Sequence, residues 1–133
     1  MRFHHVQLSM PRGLEARARR FYVDGLGLTE IAKPAALAVR GGCWFRGESA
    51  TQPPVEIHLG VEDPFIPARR AHPGLLVDGI ATLEALGNRL AASGYEVDWT
   101  ERWTFDGFER FHCHDDFGNR IEVLAPGAWA TNS

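Results

Sequence analysis

Basic residues are in short supply in this 133-residue chain: 14 Lys and Arg stand against 17 Asp and Glu, a net charge of −3 at pH 7 with histidine neutral. Without a positive excess there is nothing to neutralise a phosphate backbone, and nucleic acid is not an expected partner. Long hydrophobic runs are missing too. No apolar stretch approaches the roughly 20 residues that cross a bilayer, so no membrane partner is expected. The opening MRFHHVQL lacks the apolar h-region of a secretory signal. Cysteine is scarce: Cys43 and Cys113 do not make a disulfide framework, and both read as small packed hydrophobes rather than nucleophiles. A cytoplasmic location is the resulting expectation.

What is present suits a globular protein. Hydrophobic residues make up 44% and charged residues 23%, enough for a core in one compact unit or in two small fused halves. A repeat favours the halves. His5 recurs as His72, Leu8 as Leu75 and Gly27 as Gly94, all at one offset. In the first half, residues 3–10 alternate as a strand. Leu14, Ala18, Phe21 and Tyr22 share a helical face that Gly25-Leu26-Gly27 terminates. Residues 28–31 and 36–45 read as strands around a turn at Lys33-Pro34, and 55–61 as another. In the second half, residues 73–77 predict a strand and Asp78 a helix N-cap. Ile80, Leu83, Leu86 and Leu90 predict a buried stripe closed by Gly94. Strands are predicted at 95–99, 108–114 and 120–124, with a turn at Asp115–Asn119. The order is βαβββ twice, an α+β class: module 1 at about 1–62, a Pro-containing linker at 63–71, module 2 at about 72–126 and a tail at 127–133.

Strand alternation sorts side chains onto two faces. Val6, Leu8, Met10, Val55, Ile57, Leu59, Leu75, Val77, Ile121 and Val123 form apolar rows on which amphipathic helices can pack. The opposite face then carries His5, His58, His72 and Glu122. Imidazole nitrogen and carboxylate oxygen are donors for Zn, Ni, Co, Mn or non-haem Fe. A lone strand histidine is usually a surface or satisfied core residue. Four ligand-type residues in matching pairs on one face point to a divalent cation instead.

The segments His5-Val6-Gln7-Leu8, Phe21-Tyr22 and Leu26-Gly27-Leu28, then His72-Pro73-Gly74-Leu75-Leu76-Val77-Asp78, then Asp115-Asp116-Phe117-Gly118-Asn119-Arg120-Ile121-Glu122 resemble the vicinal-oxygen-chelate superfamily of glyoxalase I, bleomycin-resistance, fosfomycin-resistance and extradiol dioxygenase proteins. The last segment is similar to its closing D-P-x-G-N-x-I-E motif, with Asp116 in the proline place. The resemblance spans nearly the whole chain. It implies one domain of two βαβββ modules forming a cup-shaped mixed sheet, often as a homodimer, around one divalent ion. Its ligands would be His5, His58, His72 and Glu122. Glyoxalase I has a glutamate where this chain has His58, which leaves Glu122 as the catalytic carboxylate. The fosfomycin-resistance branch uses three ligands, matching His5, His72 and Glu122, and would make His58 a pocket group.

Other residues near these positions are candidate pocket groups. Gln7 and Ser9 flank His5, Glu56 flanks His58, and Arg120 flanks Glu122. His112, on the strand before the closing motif, could meet substrate or relay a proton. Trp44, Trp99, Trp103, Phe105 and Phe108 read mainly as core or contact aromatics. The leading expectation is a metal-dependent glyoxalase-like enzyme, with Lewis-acid chemistry on a small oxygenated substrate. Two alternatives stay open. One is a drug-sequestering or thiol-transfer resistance protein. The other is a ring-cleaving dioxygenase with a two-histidine, one-carboxylate iron site.

Overall fold

The structure, a computed structural model, describes residues 1–127; apart from Gly127 the expected tail at 127–133 lies outside the described residues. Along the chain run β1 (His5–Met10), α1 (Glu15–Arg19) continuing into a π-helical segment (Arg20–Gly25), β2 (Thr29–Ile31), α2 (Ala35–Ala38), β3 (Cys43–Gly47), β4 (Val55–Val61), β5 (Gly74–Leu76), α3 (Ile80–Ala92), β6 (Phe108–His114) and β7 (Arg120–Pro126). This is a mixed α+β fold with two small mixed sheets, ordered β1-β4-β3-β2 and β5-β7-β6. Two compact units share the chain. The first holds Met1–Pro67 and Asp115–Asn119; the second holds Ala68–His114 and the segment from Arg120 onward.

In the first unit β1 runs parallel to β4, with β3 and β2 added antiparallel. The apolar rows fall largely where alternation puts them, although Val55 at the start of β4 is exposed. Met10, Phe45, Ile57 and Leu59 are fully buried, together with Ala18, Phe21 and Tyr22 from the helix. The Tyr22 ring stacks on Phe45 at 5.2 Å and meets Phe21 edge-on at 4.8 Å. Burying each such side chain contributes about 1.5–3 kcal/mol. The helix is not regular throughout. Leu26 N–H donates to Phe21 O, five residues back, at 2.8 Å, and Leu28 N–H reaches Tyr22 O at 2.9 Å. Phe21 and Tyr22 nevertheless enter the core on the face that the 14, 18, 21, 22 spacing assigns them.

The strand expected at 36–45 is a correction. Ala35–Ala38 is a short helix after Pro34, and β3 starts only at Cys43. Alanine and leucine favour the helix locally, and two positive-φ glycines, Gly41 and Gly42, then turn the chain. At Gly42 a Cβ would lie 2.0 Å from Leu59 O, so only glycine fits. The closing-motif turn belongs to this unit. Asp115 Oδ1 accepts the Phe117 and Asn119 N–H groups, both at 2.9 Å, and Oδ2 accepts Tyr22 Oη at 2.7 Å and Asn119 Nδ2 at 2.8 Å. Asn119 Nδ2 also donates to Ser9 O at 2.8 Å.

In the second unit α3 packs on β6 and β7. Leu83 and Leu90 are fully buried, as are Phe111, Ile121 and Val123. Two expectations are corrected here. The N-cap of α3 is Gly79, with no side-chain cap, so Asp78 stands one residue outside the helix. The strand at 95–99 reduces to one bridge, Asp98 with His112. Pairing stops there because the Asp98 side chain turns the chain locally: Oδ1 accepts Thr100 N–H at 2.9 Å and Thr100 Oγ1 at 2.6 Å.

Candidate metal centre

In the first unit, residues 44, 46, 56 and 58 share the sheet face opposite the core. His58 is buried. Its Nε2 lies 2.8 Å from Glu56 Oε1, and Glu56 Oε2 accepts Arg46 Nη2 at 2.9 Å. The His58 ring is sandwiched between Trp44, at 3.8 Å and 3°, and His5, at 4.1 Å and 14°. His5 Nδ1 also faces His4 Nδ1 at 3.0 Å. Hydrogen bonds from His58 and then Arg46 bring the Glu56 carboxyl down to about 2. Burial holds the His58 imidazole below its ordinary value in spite of Glu56, so the neutral ring is favoured. Gln7 sits opposite His58 in the β1–β4 register and Ser9 opposite Gly60. An imidazole lone pair lies in the ring plane. Two rings stacked at 14° therefore direct their lone pairs along nearly parallel planes, and as placed His5 and His58 stack rather than converge.

The second unit arranges its donors differently. β5 pairs parallel with β7, Gly74 opposite Glu122, and β6 pairs antiparallel with β7, His112 opposite Glu122. The Glu122 N–H donates to Pro73 O at 3.0 Å, which seats the carboxylate beside His72. His72 Nε2 is 3.0 Å from Glu122 Oε1, His112 Nε2 is 3.7 Å from the same oxygen, and Arg110 Nη1 is 3.4 Å from Oε2. One donor atom from each of His72, His112 and Glu122 lies within 4.8 Å of the others. The two imidazole rings cross at 77°, with centroids 5.6 Å apart. Glu122 and His112 are buried, and burial, then the charge of Arg120, keeps His112 below its ordinary value and hence neutral.

These residues fit a divalent ion. Donors on one such ion at about 2.0–2.1 Å stand roughly 3 Å apart, the spacing of His72 Nε2 and Glu122 Oε1, with His112 Nε2 somewhat farther at 3.7 Å. His72 Nδ1 is 2.6 Å from Arg70 O, the backbone partner that orients a metal-binding histidine. His112 Nδ1 is buried and has no hydrogen-bond partner among the described residues.

The family model of the Glyoxalase/Bleomycin resistance protein/Dioxygenase superfamily matches residues 2–123. The chain belongs to this superfamily. A solved structure from Bacillus anthracis, of a protein assigned to the glyoxalase family, is 39% identical over 96% of each chain, with a TM-score of 0.82. A lactoylglutathione lyase from Agrobacterium tumefaciens is 21% identical, covering 93% of this chain and 92% of its own, at a TM-score of 0.65. An antibiotic binding protein, TnmS3 from a Streptomyces species, is 23% identical, covering 94% and 97%, at 0.64. At those two identities the likeness concerns the fold alone. No curated protein matches the chain.

Within this superfamily member, His5 lies with His58 and Glu56 in the first unit, and His72 lies with Glu122 and His112 in the second. Gln7 is exposed on β1, Ser9 is half-buried there, and Arg120 pairs in register with His114. The guanidinium that meets Glu122 is Arg110, which the sequence reading passed over. Its signal was available: Arg110 and His112 alternate onto one face of β6.

Proposed function

We propose that this superfamily member is a divalent-metal-dependent enzyme of the glyoxalase-like type, performing isomerase or lyase chemistry on a small oxygenated molecule. The observation that carries the reading is the meeting of His72, His112 and Glu122 in the second unit. His72 and Glu122 are metal ligands in this reading, and the superfamily resemblance adds His5 and His58 from the first module. Bound there, a Ni, Co, Zn, Mn or Fe ion would polarise a substrate oxygen as a Lewis acid. The chain's own groups supply the rest. Glu122 turns Oε1 to the imidazoles and Oε2 to Arg110, and it is the carboxylate that takes a proton from one substrate carbon and returns it to the next. Its burial excludes competing water. Arg110 holds its orientation. Gln7, Ser9, Glu56 and Arg120 are pocket groups in this reading, and a homodimer is its expected assembly.

The test is elemental analysis of protein purified without a metal-binding tag, chelated and reloaded, followed by turnover of aldehyde–thiol adducts. About one ion per chain with turnover that Glu122→Gln abolishes supports the reading. A chain that takes up no ion refutes it and favours drug sequestration. Two imidazoles and one carboxylate are also the donor set of non-haem iron oxygenases. Retained iron with oxygen uptake on catechols would move the assignment to a ring-cleaving dioxygenase.

A further inference from the structure

We infer that His112 is itself a metal ligand, so that the second unit supplies three protein donors, His72, His112 and Glu122, to one divalent ion. The inference rests on the metal-dependent reading above and names a ligand that reading leaves among the pocket groups.

Three observations carry it. The first is direction. The rings of His72 and His112 cross at 77°, so their planes intersect and an in-plane lone pair from each can meet at one point. The stacked rings of His5 and His58, at 14°, do not offer this. The second is distance. His72 Nε2 lies 3.0 Å from Glu122 Oε1, and one donor atom from each of His72, His112 and Glu122 lies within 4.8 Å of the others. The third is His112. It is buried, and its Nε2 faces that same Oε1 at 3.7 Å, beyond hydrogen-bond range; coordination would give this enclosed nitrogen a partner.

His58 contrasts at each point. Glu56 holds its Nε2 at 2.8 Å, and Trp44 and His5 cover both faces of its ring.

The test is titration of the full chain, freed of metal, with Co(II), following the visible d–d bands and the dissociation constant. His112→Ala is expected to weaken Co(II) binding by more than about 100-fold, beyond what loss of a supporting hydrogen bond does. Because His112→Ala removes a buried ring, His112→Cys is the second variant. A thiolate in the coordination sphere adds a near-ultraviolet charge-transfer band on Co(II) loading, which a merely structural role would not produce. Parent-like affinity in His112→Ala, or a folded His112→Cys that binds Co(II) without the new band, overturns the inference. If His5→Ala and Glu122→Ala weaken binding in that case, the metal-dependent reading survives with the ligands the resemblance implies. A parent chain that binds no Co(II), Zn(II), Ni(II), Mn(II) or Fe(II) overturns both.

Discussion

Replacing Asp115 with alanine is the sharpest probe of the closing motif. Asp115 is 5% exposed, and its carboxylate accepts four hydrogen bonds within its unit, from the Phe117 and Asn119 backbone, Asn119 Nδ2 and Tyr22 Oη, at 2.7–2.9 Å. A hydrogen bond to a charged group contributes about 1.5–3 kcal/mol, so the gross interaction is roughly 6–12 kcal/mol. Burying the carboxylate costs several kcal/mol and offsets much of it. Asp115→Ala also takes this acceptor from a Tyr22 hydroxyl in the core, a further loss of about 1–3 kcal/mol. The expected net destabilisation is about 3–5 kcal/mol, a large share of the 5–15 kcal/mol typical of a domain. Tyr22→Phe removes one donor and should cost about 1–2 kcal/mol. Combined, the two should cost less than their sum by about 1–2 kcal/mol, because both remove the same hydrogen bond. Urea unfolding followed by tryptophan fluorescence measures all three. An Asp115→Ala chain within about 1 kcal/mol of the parent, at unchanged m-value, would refute the reasoning.

Other consequences follow from local geometry. Gly42→Ala places a Cβ 2.0 Å from Leu59 O at φ 82°, and should destabilise by at least about 3 kcal/mol; an unchanged thermal midpoint would contradict this. Burial pushes the Cys43 thiol up to about 12, so a thiolate-selective alkylating reagent should leave Cys43 unmodified in the native chain and modify it in denaturant. Mass spectrometry of digested protein reads the difference. The Glu56 carboxyl is about 2 when folded, against an ordinary 4.5. Its contribution is fully present above the ordinary value and is lost as pH falls from there toward about 2. Glu56→Gln should therefore flatten the acid limb of stability against pH, and parallel acid limbs in the two proteins would rule the contribution out.

What was legible in the sequence is what periodicity encodes. A strand assigns faces by a period of two, and Ile57, Leu59, Ile121 and Val123 are buried on the side that alternation gives them. The helical stripe of α3 was legible for the same reason. Three features were not. At Ala35–Ala38 apolar residues continue a strand-like pattern, and only backbone propensity separates helix from strand over so few positions. At 95–99 a single aspartate side chain captured the backbone and ended the ladder after one bridge. The burial of Phe21 and Tyr22 was legible, but the π-helical turn that carries them was not, because side-chain periodicity does not report which carbonyl each N–H reaches. For the site, residue types and faces could be read, but ring orientation could not. Nothing in a one-letter string distinguishes His58, stacked on Trp44, from His72, turned toward Glu122.

That difference of orientation follows from where each carboxylate finds its partners. Each unit pairs its first and last strands in parallel, β1 with β4 and β5 with β7, although the first sheet has four strands and the second three. In the first, Glu56 is met by His58 from two positions along its own strand and by Arg46 from the neighbouring one. Its charge is matched sideways, along the sheet, and the imidazole lies flat between aromatic rings. In the second, Glu122 is met by His72 from the segment before β5 and by Arg110 and His112 from β6. Those groups approach one carboxylate from both flanking strands. Coordination needs donors that come from separate directions, whereas stacking needs parallel planes. The first unit therefore sets an aromatic stack around its imidazole, and the second brings three side chains together on one carboxylate.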